Sequence, residues 1–247
     1  MLKINENHLK KIKKIKNQFL SKTDVPKEDD WKNDTNNEIW WSIIGQVIVV
    51  GKDSPVDKFW SDNKLRNEVS YDNLIKIKDE NEITKKINHA LRAVGTRYAS
   101  DDISKCKKTK SLVHNLKVLK NIKGGPKGLL QRLSELSGRN GDKRKIKYLM
   151  KIMFFIKSKG ARDFLMGQGL VRNAVAFDVR VITILRKKVG IKIPGGYEND
   201  EKLYDNIEKD VLSKICNPLG ISGVQFDRML FQNYDKIMKM NFGQDGP

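Results

Sequence analysis

Apolar residues recur at three- and four-residue spacing through most of this chain. The pattern runs through NEIWWSIIGQVIVVG (37–51), NEITKKINHALRAVG (81–95), ISKCKKTKSLVHNLKVL (103–119), KGLLQRLSELSG (127–138), RKIKYLMKIMFFIKSKG (144–160), DVRVITILRKKVG (178–190) and VQFDRMLFQNYDKIMK (224–239). Such spacing collects the apolar side chains on one face of a helix, and a Gly or polar break follows each stretch. The pattern predicts an all-α protein. QVIVV is β-branched enough for a strand, but it continues the stripe of Ile39, Trp40, Ile43, Ile44 and Val47 and reads as helix.

The breaks suggest how the chain is divided. NIKGGPKG (121–128) is a Gly/Pro turn after a basic helix, and VGIKIPGGYEND separates the 178 helix from the last two. The expected organisation is an N-terminal basic helical segment over 1–36, a helical subdomain over 37–120, and a subdomain over 121–247 carrying a helix-hairpin-helix and the C-terminal helices. Two helical halves flanking a cleft, with the chain ends packing together, fit these breaks. The opening MLKINENHLKKIKKIKNQFL sets Leu and Ile among lysines with no apolar run long enough for a signal core or a membrane span, so it reads as a surface helix.

At 247 residues the chain is long enough to bury a core without disulfide or metal staples. Cys106 and Cys216 stand far apart and in no metal-ligating cluster, so no metal site and no cofactor is expected, and the setting is reducing and cytoplasmic. Charge changes the picture more. Against 30 acidic residues stand 49 Lys and Arg, a net +19 with a pI near 9.8. A surface of that kind releases counterions from a polyanion, which makes nucleic acid the leading partner.

Candidate chemistry lies at LSELSGRNGDK (133–143). Gly138 and Gly141 flank Arg139 and Asn140 between two helical stretches, and Asp142 and Lys143 lead into the second. Glycines admit positive φ and let backbone amides approach an anion, and a following helix N-terminus favours phosphate. Further on, Asp178 follows an apolar approach and can cap the helix carrying Val179, Val181, Ile182, Ile184 and Leu185.

Helix, glycine corner, helix, and then an apolar residue followed by Asp and DVRVITIL ending in VG: this order resembles the helix-hairpin-helix superfamily of base-excision DNA glycosylases. Within it, LSELSGRNGDKRKIKYLMKIMFF and FDVRV look most like the archaeal 8-oxoguanine DNA glycosylase branch. WWSIIGQVIVVGKDSPVDKFW and GISGVQFDRMLF are similar to that branch's N-terminal and final helices. The resemblance spans roughly 37–235 as a pattern.

The resemblance implies a nucleoid-associated monomer that acts on double-stranded DNA containing a damaged base, with 8-oxoguanine favoured. The damaged base is flipped from the helix and stacked on aromatic side chains. Asp178 is the implied catalytic carboxylate. Asp227 and Phe231, one turn apart, match the base-recognition positions. Trp40, Trp41 and Trp60, like Phe231, are base-stacking candidates, although a core role fits most of the four better; Trp60 is kept with Asp227 and Phe231 for substrate binding. Gly138, Arg139 and Gly141 are implied in gripping DNA phosphate. In bifunctional members a lysine amine attacks the sugar and forms a Schiff base that permits strand cleavage. Aligning the Gly138 corner places Arg144 at that position, and arginine stays protonated. Other registers select Lys143 or Lys145. Lys159 lies nineteen residues before Asp178, a spacing seen in shorter-hairpin relatives, but no glycine corner precedes it and it reads as a solvated helix end. The alternatives are a monofunctional glycosylase for another modified base, a non-catalytic helix-hairpin-helix DNA-binding protein in which Asp178 is only a cap, and a basic RNA-binding or scaffold protein.

Overall fold

The computed structural model describes residues 1–49, 54–138 and 140–242. Its helices, in chain order, are α1 (Glu6–Phe19), α2 (Asn36–Ile48), α3 (Ser54–Ser61), α4 (Asn63–Glu68), α5 (Tyr71–Leu74), α6 (Glu80–Ala93), α7 (Lys107–Lys120), α8 (Gly125–Ser134), α9 (Gly141–Ile152), α10 (Ser158–Gly167), α11 (Val179–Thr183), α12 (Glu201–Val211), α13 (Asn217–Leu219), α14 (Gly223–Gln232) and α15 (Tyr234–Lys239). No strand occurs among the described residues. Helix starts are set by polar caps. Thr35 and Glu38 form a capping box on α2, as do Ser222 and Gln225 on α14, and Asp200 accepts from the Leu203 amide at the start of α12.

Two compact units divide the chain: Met1–Glu28 with Leu165–Pro247, and Asp29–Phe164. In the first, Ile12, Ile15 and Phe19 of α1 sit in one buried cluster with Val181, Leu185, Tyr204, Ile207, Phe226 and Leu230. The chain ends therefore share a core, as the breaks suggest. The Leu2 amide adds a bond to Asp210 Oδ2 at 2.5 Å, and Lys214 Nζ donates to Leu2 O at 3.0 Å. In the second unit, Ile39, Trp40, Ile43, Ile44 and Val47 of α2 are buried, as are Leu129, Leu130 and Leu133 of α8 and Leu112, Leu116 and Leu119 of α7.

The division differs from the sequence seams. Both 36/37 and 120/121 fall inside the second unit. Periodicity reports which face of a helix is apolar, not what covers it, and the stripe of α1 is covered by residues some 170 positions later. The stretch 144–160 also departs from expectation. It forms two helices, α9 and α10, with a corner between them over 153–157. The Met153–Ile156 run keeps helical apolar spacing across that corner, which hides the break from a periodicity reading.

Candidate active site

In the first unit, Asp178 is the N-cap of α11. Its backbone is extended (φ −71°, ψ 159°), and its Oδ1 accepts from the Arg180 amide at 2.9 Å. Asp178 is half-buried, and its own N–H donates to Ala176 O at 2.5 Å. The segment leading to it is buried and belongs to no helix. Its amides are bonded instead by side chains. Val175 N donates to Glu208 Oε1 at 2.9 Å, Ala176 N to Asp227 Oδ1 at 2.9 Å and Phe177 N to the Tyr204 hydroxyl at 2.8 Å. That hydroxyl donates in turn to Val175 O at 2.9 Å. Buried backbone groups outside regular structure need such partners.

Asp227 lies at the heart of this arrangement. It is 2% exposed, and its second oxygen is 3.8 Å from Arg228 Nη1. One turn further along α14, the Phe231 ring is covered by the Arg180 guanidinium at 4.7 Å. The unit thus brings Asp178, Asp227 and Phe231 into one neighbourhood, linked through Ala176 and Arg180. Behind it Phe177, Tyr197 and Tyr204 form an aromatic cluster with ring centroids 5.0–6.1 Å apart. Burial, with Glu198 adding, pushes the Tyr197 hydroxyl up to about 12, so it stays neutral.

The second unit holds the glycine corner. Gly138 and Asn140 are left-handed, at φ +84° and +62°. The Gly141 amide donates to Gly138 O at 2.8 Å, so the turn itself uses that donor. A Cβ at Gly141 would stand 2.8 Å from Leu136 O, which explains the glycine by close backbone approach. Arg139 lies outside the described residues. Lys143 is exposed; Lys145 is half-buried with Nζ 4.0 Å from Asp142 Oδ1; Arg144 donates to Ser137 O. Trp60 is 39% exposed on α3, and the Arg66 guanidinium of α4 lies over its ring at 5.4 Å and over that of Trp41 at 5.0 Å. Trp40 is fully buried, with its indole N–H on Val69 O.

The α9–α10 corner was not legible as such. Its left-handed residue is Phe155, at φ +67°, a position where glycine is the usual occupant. Asn115 of α7 clamps the preceding residue from both sides. Its Oδ1 accepts from Phe154 N at 2.7 Å, and its Nδ2 donates to Phe154 O at 3.1 Å. The Phe154 ring, 52% exposed, stacks on His114 at 3.5 Å and 11°. Two residues into α10 stands Lys159, half-buried, with Nζ 3.9 Å from Asp163 Oδ2, and Gln46 Nε2 holds that same oxygen at 3.0 Å. A corner made without glycine therefore precedes Lys159. In the sequence the nineteen-residue spacing to Asp178 singled out that lysine, and nothing marked the corner. Among the described residues, no group of His, Cys, Asp and Glu could hold a metal ion.

No protein-family model matches the chain, and no curated protein matches it. Solved structures do, among them those of 8-oxoguanine glycosylases. The 8-oxoguanine DNA glycosylase of Thermotoga maritima is similar over 92% of this chain and 95% of its own, at 21% identity and a TM-score of 0.60. The 8-oxoguanine DNA glycosylase of Methanocaldococcus jannaschii is similar over 96% and 99%, at 16% identity and a TM-score of 0.64. An 8-oxoguanine glycosylase/lyase of the same organism, in complex with 15mer DNA containing 8-oxoguanine, matches over 94% and 99%, at 16% and 0.63. This chain has the helical fold of the 8-oxoguanine DNA glycosylases over nearly its whole length.

Proposed function

We propose that this chain is a DNA N-glycosylase of base-excision repair that removes an oxidised purine, 8-oxoguanine first, and nicks the strand through a Schiff base. The observation that carries this reading is the helix, corner and helix of α9 and α10, with Lys159 opening α10 nineteen residues ahead of the capped Asp178. Departure of the base leaves positive charge on the deoxyribose. A carboxylate fixed at a helix N-terminus stabilises that charge without having to reorganise. The Lys159 amine, once deprotonated, attacks C1′ while the C1′–N9 bond breaks and the base departs with a proton. Ring opening gives the imine, and loss of a C2′ proton expels the 3′-phosphate. Lys143 and Lys145, at the first corner, are the competing nucleophiles, and Gly138 and Lys143 are suited to hold the DNA backbone. Double-stranded DNA containing the damaged base is the partner, bound by a monomer.

Borohydride trapping on an 8-oxoguanine duplex tests the assignment. Wild type forms a covalent adduct, Lys159→Gln loses it, Lys143→Gln and Lys145→Gln retain it, and Asp178→Asn loses base release. Loss of the adduct with Lys143→Gln or Lys145→Gln alone moves the nucleophile to the first corner. A wild type that binds duplex but releases no base from any lesion favours the second reading, a non-catalytic DNA-binding protein. The capping bond from the Arg180 amide to Asp178 Oδ1 speaks for that reading.

A further inference from the structure

We infer that Asp227, with Glu208 and Tyr204, is a positioning residue that fixes the Asp178 carboxylate for base release; this rests on the glycosylase reading above. Three successive amides, at 175–177, are bound by side chains of two different helices, at 2.8–2.9 Å. The three side chains are 2%, 9% and 1% exposed for Asp227, Glu208 and Tyr204. Asp227 also stands 3.8 Å from Arg228 Nη1, and carboxylates buried this deeply are held where charged and hydrogen-bonding partners converge on them. The arrangement determines the path of the chain into Asp178.

Close backbone packing reinforces it. A Cβ at Gly223 would stand 2.5 Å from Ala174 O and 2.7 Å from Ala174 N, and Val224 N donates to Arg172 O at 3.0 Å. The first turn of α14 therefore lies against the backbone of the segment whose Ala176 amide Asp227 holds. Ala176 is also the residue whose carbonyl accepts the Asp178 N–H. Asp227 thus sets, through one intervening peptide, where the N-cap of α11 begins. In this role Asp227 acts through Oδ1 on the Ala176 amide and needs no contact with the flipped purine, whereas a base-reading role needs one of its oxygens on the base.

The two roles separate by substitution. Asp227→Asn keeps an acceptor for the Ala176 amide; Asp227→Ala removes it. Three quantities are measured: single-turnover base release at saturating enzyme, affinity for the 8-oxoguanine duplex, and borohydride trapping on a preformed abasic site, which needs no base release. For Asp227→Ala the expected result is a fall in base release on the order of 100-fold, the scale on which misplaced catalytic groups act. Duplex affinity and abasic-site trapping stay near wild type, and Asp227→Asn recovers most of the rate. Tyr204→Phe, which removes both hydroxyl bonds while leaving the ring in its cluster, shows the same split and covers the case in which Asp227→Ala fails to fold. The inference is overturned if Asp227→Asn is as slow as Asp227→Ala with weakened lesion affinity, the result that makes Asp227 a base reader. It is also overturned if all three quantities fall together or if neither variant slows base release. Failure of wild type to release any base removes the glycosylase reading itself, and that result precedes any variant.

Discussion

Phe155 occupies a backbone region where a Cβ crowds the following carbonyl, at a cost of roughly 1–2 kcal/mol. A glycine corner is legible at Gly138 and none at Phe155, so Lys159 reads from the sequence as a solvated helix end. The Phe155 ring has a charged neighbour, Lys108, whose Nζ stands 5.8 Å from the ring centroid and donates to Ile48 O at 3.3 Å. Lys108 is 3% exposed, and burial, with the Arg97 charge adding, brings its ammonium down to about 8. The sign of the linkage follows. Between about pH 8 and the ordinary lysine value near 10.5 the unfolded chain holds a proton that the folded chain has released, so this group makes stability rise with pH across that window. Denaturant melts of wild type and Lys108→Met over pH 7–10.5 should show wild type gaining on the variant above pH 8. A difference that stays constant with pH would show that Lys108 keeps its proton.

Among the elements, the close fit of α14 against the segment before Asp178 leaves no room for a side-chain carbon at Gly223. Gly223→Ala brings a methyl against backbone atoms that cannot rotate away, and overpacking of that kind costs about 1–3 kcal/mol. A urea melt should show the loss. Base release should fall with it, because the same shift displaces Ala174–Ala176. The helices themselves were largely legible. The stripe of α2 was visible from Ile39 onward, and the DVRVITIL pattern correctly marked Asp178 as a helix N-cap. The α9–α10 break was not, since Met153 and Ile156 maintain apolar spacing and the turn is made by Phe155, with Asn115 holding the adjoining Phe154 from 39 residues away. Nor was the role of Tyr204, Glu208 and Asp227. Their partners lie 27–51 residues distant and are backbone amides, which have no sequence signature.

At the scale of the whole molecule, the net charge of +19 overstates the cationic surface offered to a phosphate chain. Several lysines are spent on the protein's own carbonyls. Lys11 donates to Val189 O, Lys16 to Leu219 O at 2.6 Å, Lys188 to Met240 O and Lys127 to Lys32 O, most of them at places where a helix or turn ends and carbonyls lack partners. Such cations stitch the fold together and are poorly placed to neutralise phosphate as well. Binding to duplex DNA should therefore weaken linearly in log–log salt titration with far fewer ion releases than the net charge suggests, each phosphate contact contributing a slope of about −0.9. An exposed lysine and a carbonyl-bound one are separable in that titration. Lys143→Gln, at the exposed start of α9, should flatten the slope by about one unit for lesion-bearing and undamaged duplexes alike. Lys16→Gln should leave the slope unchanged while lowering the melting temperature, because its ammonium is tied to the end of α13. If Lys16→Gln flattens the slope and Lys143→Gln does not, the DNA-facing surface lies along α1 and away from the first corner.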